Sequence, residues 1–341
     1  MHAMENFIDS TDILDDGPAL AERLERDGYL FIRRLLQPET VLRVRRRLLE
    51  KASAGGWLDP ESPVEWGVAC PAAACKDPED SYMKVFRGIW ADEELHRLRT
   101  QPAVLALFER IFGEPALAHP LFIQRNIFPQ REDFDFTTGA HQDRVHIGGA
   151  TSYAVWLPLH DCPPEQGSLA VAAGSHRAGI FDTTVGNGAG GMEISGTIPG
   201  AWVTGSFAVG DALVFMDHTV HRALPNRTRV IRQSVDARYQ RVSQPVADKN
   251  LETYAGTGTW EEIYAQWQST EDQYYWRNFD LEVIPFDFSY YERRDEMAFE
   301  MAENGDLSTR DTLLRIVQRD HDPQKRARAE QLLTRLESGA G

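Results

Sequence analysis

The feature that most narrows what this chain can fold into is a change of hydrophobic period near residue 117. Before it, apolar residues recur at helical spacing. "PALAERLERDGY" and "QPETVLRVRRRLLEKA" flank a short apolar run, "YLFIRRLL". A loop rich in Pro, Gly and Ala fills 54–78, and helical spacing returns over 91–113. Beyond 117, "HPLFIQRNIF", "SYAVWLPLH", "GSLAVAAG", "DALVFMDHTVH" and "RVIRQSVDARYQ" are short apolar or alternating segments parted by Gly, Pro, Asn and Asp. That pattern predicts a sandwich or barrel of short strands. After about residue 250 the chain turns helical and aromatic-rich, ending in an amphipathic pair at 308–320 and 323–337. The expected organisation is a β domain with N-terminal helices over 1–249 and a helical extension over 250–341 packed on it. The Gly-rich stretch 183–200 reads as a long mobile loop over one end. Its "GNGAGG" lacks the strand-to-helix setting of a phosphate loop.

Composition removes several functional classes. The net charge is -16 with a pI near 5.1, and no basic patch of a nucleic-acid binder is present. The one basic run, "RVRRRLLEK", alternates with apolar residues and reads as the outer face of an amphipathic helix. The acidic balance suits a cationic substrate, but solubility alone explains it. No apolar run approaches a membrane span, and the first residues lack the pattern of a secretory signal. Cys70, Cys75 and Cys162 have no framework spacing, which fits a reducing cytoplasm.

The chemistry concentrates in "TTGAHQDRVHIGGA". His141 and Asp143 are two apart, so on an extended chain they share one face. Such a pair serves as a metal clamp, as an acid–base couple, or as a polar strand edge. An imidazole and a carboxylate suit Fe(II), Mn(II) or Zn(II), and a third ligand completes a two-His, one-carboxylate facial triad. His221, at the end of an apolar strand, is the candidate. His218, three residues earlier, falls on the opposite strand face. On the next strand Arg232 and Ser234 share a face, offering a guanidinium fork and a hydroxyl to a carboxylate. Arg227 and Arg229 are the alternatives for that role, and Asp236 is a rival partner for Arg232.

"HQD" at 141–143, "GSLAVAAGSH" at 167–176, "GD" at 210–211, and the spacing from His221 through Asn226 to Arg232 resemble the phytanoyl-CoA dioxygenase (PhyH) family. The resemblance covers roughly residues 18–240. It implies a mainly β fold with flanking helices, whose core is a double-stranded β-helix of the jelly-roll or cupin-like kind. It also implies a 2-oxoglutarate-dependent Fe(II) dioxygenase using O2. By the same resemblance His141, Asp143 and His221 bind iron, and Arg232 with Ser234 holds the distal carboxylate of 2-oxoglutarate. Gln124 and Trp156 occupy positions near the co-substrate. Ala173 stands where the family often has proline, and Asp143 argues against halogenating relatives.

The expected reaction is hydroxylation of an unactivated C–H bond in a small molecule of specialised metabolism, giving succinate and CO2. Desaturation, cyclisation, epimerisation, or an acyl-CoA or carrier-bound substrate are the alternatives. From other classes come a cupin-type metal enzyme without 2-oxoglutarate and a non-catalytic metal-binding β-helix. The C-terminal helices offer a surface for a homo-oligomer.

Overall fold

The computed structural model describes residues 4–132 and 137–339. Along the chain, β1 (Glu5–Asn6) leads into α1 (Gly17–Asp27), β2 (Tyr29–Ile32) and α2 (Pro38–Ala54). The helices α3 (Asp80–Trp90), α4 (Glu93–Arg97) and α5 (Pro102–Phe112) follow. Local chemistry sets these boundaries. The Asp16 carboxylate accepts from Ala19 N at 3.0 Å and caps α1, with Pro18 in its first turn. Gly28 ends the helix at φ 79°, and a Cβ there would lie 2.5 Å from His176 Nδ1. The single helical stretch expected at 91–113 is split, because Pro102 restarts the chain as the first residue of α5. The helix α3 had no counterpart in the sequence reading.

Two sheets carry the centre of the molecule. The strands are β3 (Ala116–Ala118), β4 (Ile123–Ile127), β5 (Tyr153–Pro158), β6 (Leu169–Ala172), β7 (Thr183–Val185), β8 (Met192–Ile194), β9 (Trp202–Thr204), β10 (Ala212–Met216), β11 (His221–Ala223) and β12 (Arg232–Arg241). The larger sheet runs β2-β10-β5-β12-β3, with β4 also paired to β12; the smaller runs β1-β9-β6-β11. Each strand expected from sequence is present.

Period-two alternation gives the larger sheet two different faces. Its inner rungs run Phe31–Leu213–Trp156–Asp236 and Tyr29–Phe215–Ala154–Arg238. The apolar members pack with Leu169, Val171, Val203 and Ala223 of the smaller sheet, so one core lies between the sheets. On the outer face Val235, Ala237, Tyr239, Val155 and Leu157 join the core built with α1, α2, α3 and α5.

The segment expected to be a loop at 183–200 contains the β7–β8 hairpin. Val185 and Met192 pack on Tyr290 and Ala298 of a helix from the C-terminal segment, and burial of that non-local face gives the hairpin its order. The C-terminal segment includes α6's successors in chain order once α6 (Arg144–Ile147) is counted: α7 (Trp260–Tyr264), α8 (Ser289–Glu303), α9 (Arg310–Arg319) and α10 (Pro323–Gly339). The last three share a small core of Phe299, Leu313, Ile316, Ala329, Leu332 and Leu336. The aromatic run at 260–276 is core: Trp260 lies 5.8 Å from Trp90, and Trp267 donates to Ala91 O. Arg315 and Arg319 of α9 pair with Asp77. No helix among the described residues is long and apolar enough to cross a membrane.

Candidate metal centre and diacid pocket

The residues His141 and His221 form an isolated antiparallel bridge at the edge of the smaller sheet. The two backbones exchange hydrogen bonds, His141 N to His221 O at 3.0 Å and His221 N to His141 O at 3.1 Å. Directly opposed residues face the same way, so both imidazoles project inward, with ring centroids 4.1 Å apart. Asp143, at the start of α6, brings its Oδ1 to 3.8 Å from His141 Nε2 and 3.9 Å from His221 Nε2. One donor atom from each residue lies within 4.8 Å of the others, and all three residues are buried.

Hydrogen bonds behind the donors set their chemistry. His141 Nδ1 meets Gly139 O at 2.8 Å, and His221 Nδ1 meets Thr219 O at 3.0 Å. A carbonyl only accepts, so both Nδ1 atoms carry the proton and both Nε2 lone pairs face the shared centre. Burial and then His221 push the His141 imidazole well below its ordinary range, keeping it neutral. Burial alone would raise the Asp143 carboxyl. Arg238 and both histidines overcome that, and it lies below the ordinary carboxylate range. Arg238 Nη2 is 2.7 Å from Asp143 Oδ2, so one carboxylate oxygen is neutralised and the other is left toward the imidazoles. Two imidazoles anchored through Nδ1 and one ionised carboxylate oxygen, buried and converging, fit a divalent ion such as Fe(II).

Arg238 was not anticipated from the sequence. It also pairs with Asp236, which is thereby engaged away from Arg232. The signal was present as period two along β12, where Arg232, Ser234, Asp236 and Arg238 occupy one face of a buried strand. Arg232 is buried. Its Nη1 donates to Ser234 Oγ at 3.3 Å, its guanidinium carbon lies 5.7 Å from the Trp156 ring centre, and its Nε has no partner among the described residues. Burial lowers it only to about 10, so it remains a cation with unspent donors. Trp156 is fully buried between the sheets, 4.8 Å from Phe207.

Gln124 sits elsewhere. It pairs in register with Val235 on the outer face, and it exchanges hydrogen bonds with Asn126, which also accepts from Gln233. The sheet therefore separates it from Arg232 and Ser234. His218 bonds Asp217 Oδ1 at 2.6 Å, apart from the triad. Gln142 ties two loops together through Gly179 O, His218 O and Phe181 N.

The model of the phytanoyl-CoA dioxygenase (PhyH) family matches residues 24–234, more than half of the chain. The chain belongs to that family and is a 2-oxoglutarate-dependent non-haem iron dioxygenase. It is 26% identical over 257 residues to the 1-deoxypentalenic acid 11-beta-hydroxylase of Streptomyces exfoliatus, covering 70% of this chain and 87% of that protein. The protein of the same name from Streptomyces arenae is 26% identical over 254 residues, covering 70% and 86%. Among solved structures, the epimerase SnoN in complex with Fe3+, alpha ketoglutarate and a nogalamycin compound aligns with a TM-score of 0.50 and 24% identity, covering 69% of this chain and 86% of that one.

Proposed function

We propose that His141, Asp143 and His221 hold one Fe(II), and that Arg232 with Ser234 holds the distal carboxylate of 2-oxoglutarate. On this reading the enzyme hydroxylates an unactivated C–H bond of a small molecule of specialised metabolism. The two facing sheets are then the halves of a double-stranded β-helix, residues 1–249 the oxygenase domain and 250–341 an extension packed on it. The observation that carries the reading is the convergence of two carbonyl-anchored imidazoles and one carboxylate beside a buried arginine with free donors.

When bound, iron with 2-oxoglutarate and O2 supplies the oxidising power, with succinate and CO2 as co-products. The protein's residues position and shield. Gly139 O and Thr219 O fix the ring tautomers. Arg238 holds Asp143 ionised and fixes which oxygen it offers. Arg232 supplies a planar fork that a carboxylate meets with two bonds, and Trp156 walls the space beside it. Gln124 supports the strand beneath Arg232 from its other side.

Two observations favour a free small molecule over a carrier-bound one. Hydroxylases named for 1-deoxypentalenic acid are among the relatives. The basic run on α2 is also largely spent: Arg45 is buried, while Arg43 pairs with Glu94, and Arg47 and Lys51 pair with Asp92. We place the enzyme in the cytoplasm, with the C-terminal helices as the surface for any self-association. The test is anaerobic titration with Fe(II) and 2-oxoglutarate, reading the weak visible charge-transfer band. One equivalent of each is expected for the native chain, and none of the band for Asp143→Ala. A native protein that binds Fe(II) but gives no band with 2-oxoglutarate supports a metal enzyme of another kind.

A further inference from the structure

A hydrogen-bonded chain beside the metal centre ends in an unused donor. Lys249 Nζ donates to the Tyr291 hydroxyl at 2.8 Å and to His146 O at 3.2 Å. The Tyr291 hydroxyl lies 3.0 Å from His146 Nδ1. An ammonium has donors only, so the Tyr291 oxygen accepts from Lys249; its proton has no other acceptor among the described residues and goes to Nδ1. With Nδ1 accepting, a neutral imidazole carries its proton on Nε2. Burial, and then Lys249, keep His146 neutral. Its Nε2 is buried and has no partner among the described residues.

Other histidines differ from it. Among the described residues, His96 and His176 also have one buried nitrogen without a partner, but each uses its Nε2 proton on a carbonyl, Trp90 O and Glu25 O respectively. What they leave over is a lone pair. His146 leaves over a proton.

The position gives this donor its meaning. His146 sits one turn past Asp143, and its N–H bonds Asp143 O at 2.8 Å. Its ring lies within electrostatic reach of Asp143 and His141. Gly190, at the edge of the β7–β8 hairpin, leaves room over the ring: a Cβ there would be 2.9 Å from His146 Cε1. Tyr290 meets the ring edge-on at 5.3 Å. Lys249 and Tyr291 both lie beyond the residues matched by the family, 24–234.

We infer that His146 uses its buried, unpartnered Nε2–H beside the metal centre to take an acceptor oxygen, carbonyl or carboxylate, of the substrate. Tyr291 and Lys249 are the positioning residues that fix its tautomer. The inference rests on the proposed oxygenase site for the identity of the neighbouring centre. It gives the C-terminal segment a part in substrate choice, because that segment decides which ring nitrogen is the donor.

The test is long-range 1H–15N NMR of histidine side chains, with His146→Gln identifying the resonance. In the metal-free protein, the Nε2–H tautomer is expected, and Tyr291→Phe is expected to give a mixture. Either an Nδ1–H tautomer in the native protein or an unchanged Tyr291→Phe spectrum overturns the relay. This arm does not depend on iron, so it stands or falls apart from the oxygenase reading. In the second arm, protein loaded with Zn(II) and 2-oxoglutarate is titrated with acetate as the acceptor probe. A saturable shift of His146 Nε2, weakened at least ten-fold in Tyr291→Phe, supports the inference. No shift with acetate overturns it, as does a full shift on adding 2-oxoglutarate alone, which would give the donor to the co-substrate.

Discussion

Replacing Arg238 by methionine isolates the electrostatics of the centre. The guanidinium is buried between Asp143 and Asp236 and serves both. Methionine keeps much of the volume and removes the charge, so two buried carboxylates lose their cation. Breaking a buried ion pair from one side costs about 3–5 kcal/mol. At roughly 2 °C per kcal/mol for a chain of this size, the metal-free variant should melt roughly 6–10 °C below the native protein.

The pH dependence carries the sharper test. In the native protein the Asp143 carboxyl is depressed despite burial, chiefly by Arg238. Its stabilisation is therefore present above the ordinary carboxylate value, about 3.9, and is lost only as pH falls through the lower folded value. Without Arg238, burial prevails and the folded value rises. The folded state then binds the extra proton, and stability declines as pH rises through the interval between the ordinary and raised values. The gap between variant and native protein should thus be smallest near pH 4 and largest at neutrality, an interval of about 3 units. Thermal melts of metal-free protein across that range read it, and Ni(II) should recover part of the loss by standing in as the cation. A neutral-pH difference of under ~1 °C, equivalent to less than ~0.5 kcal/mol, would refute the argument. So would a difference that is constant with pH.

Three further outcomes are expected. Arg232→Ala should raise the KM for 2-oxoglutarate about 100-fold, the loss of about 3 kcal/mol in charge-assisted hydrogen bonds, read by succinate formation. Gln124→Ala should leave that KM within about two-fold while lowering the melting temperature, because its hydrogen bonds go to Asn126 on the outer face; a KM rise like that of Arg232→Ala would place it in the pocket. Trp90→Ala should destabilise by about 3–5 kcal/mol in denaturant melts, since the ring is fully buried, stacked on Phe122 at 5.2 Å, and donates to Phe122 O.

What the sequence disclosed follows the range over which each signal acts. The placing of His141 with Asp143, and of Arg232 with Ser234, is local: spacing of two on an extended chain puts side chains on one face, and the folded chain keeps both pairs on one side. His221 over His218 was readable from its spacing to Asn226 and Arg232; strand parity does not apply, because a turn holding His218 separates β10 from β11. The outer position of Gln124 was not, because which face of an edge strand turns inward depends on its register with β12. Arg238 escaped notice because its partners come from another part of the chain. The hairpin at 183–194 was hidden for the same reason: glycines dominate the segment, and its order comes from packing on α8. The break at Pro102 needed only the proline, but the helical period on either side masked it.

The bridge between residues 141 and 221 places the two imidazoles by main-chain pairing, through amide and carbonyl groups that every non-proline residue owns. The spacing of those two positions is consequently indifferent to which side chains stand on them. Exchanging either imidazole for another ligating group would alter affinity and preferred ion without moving the scaffold. A slip of one residue in that pairing would turn one imidazole to the far side and abolish the centre, however intact the rest of the sheet.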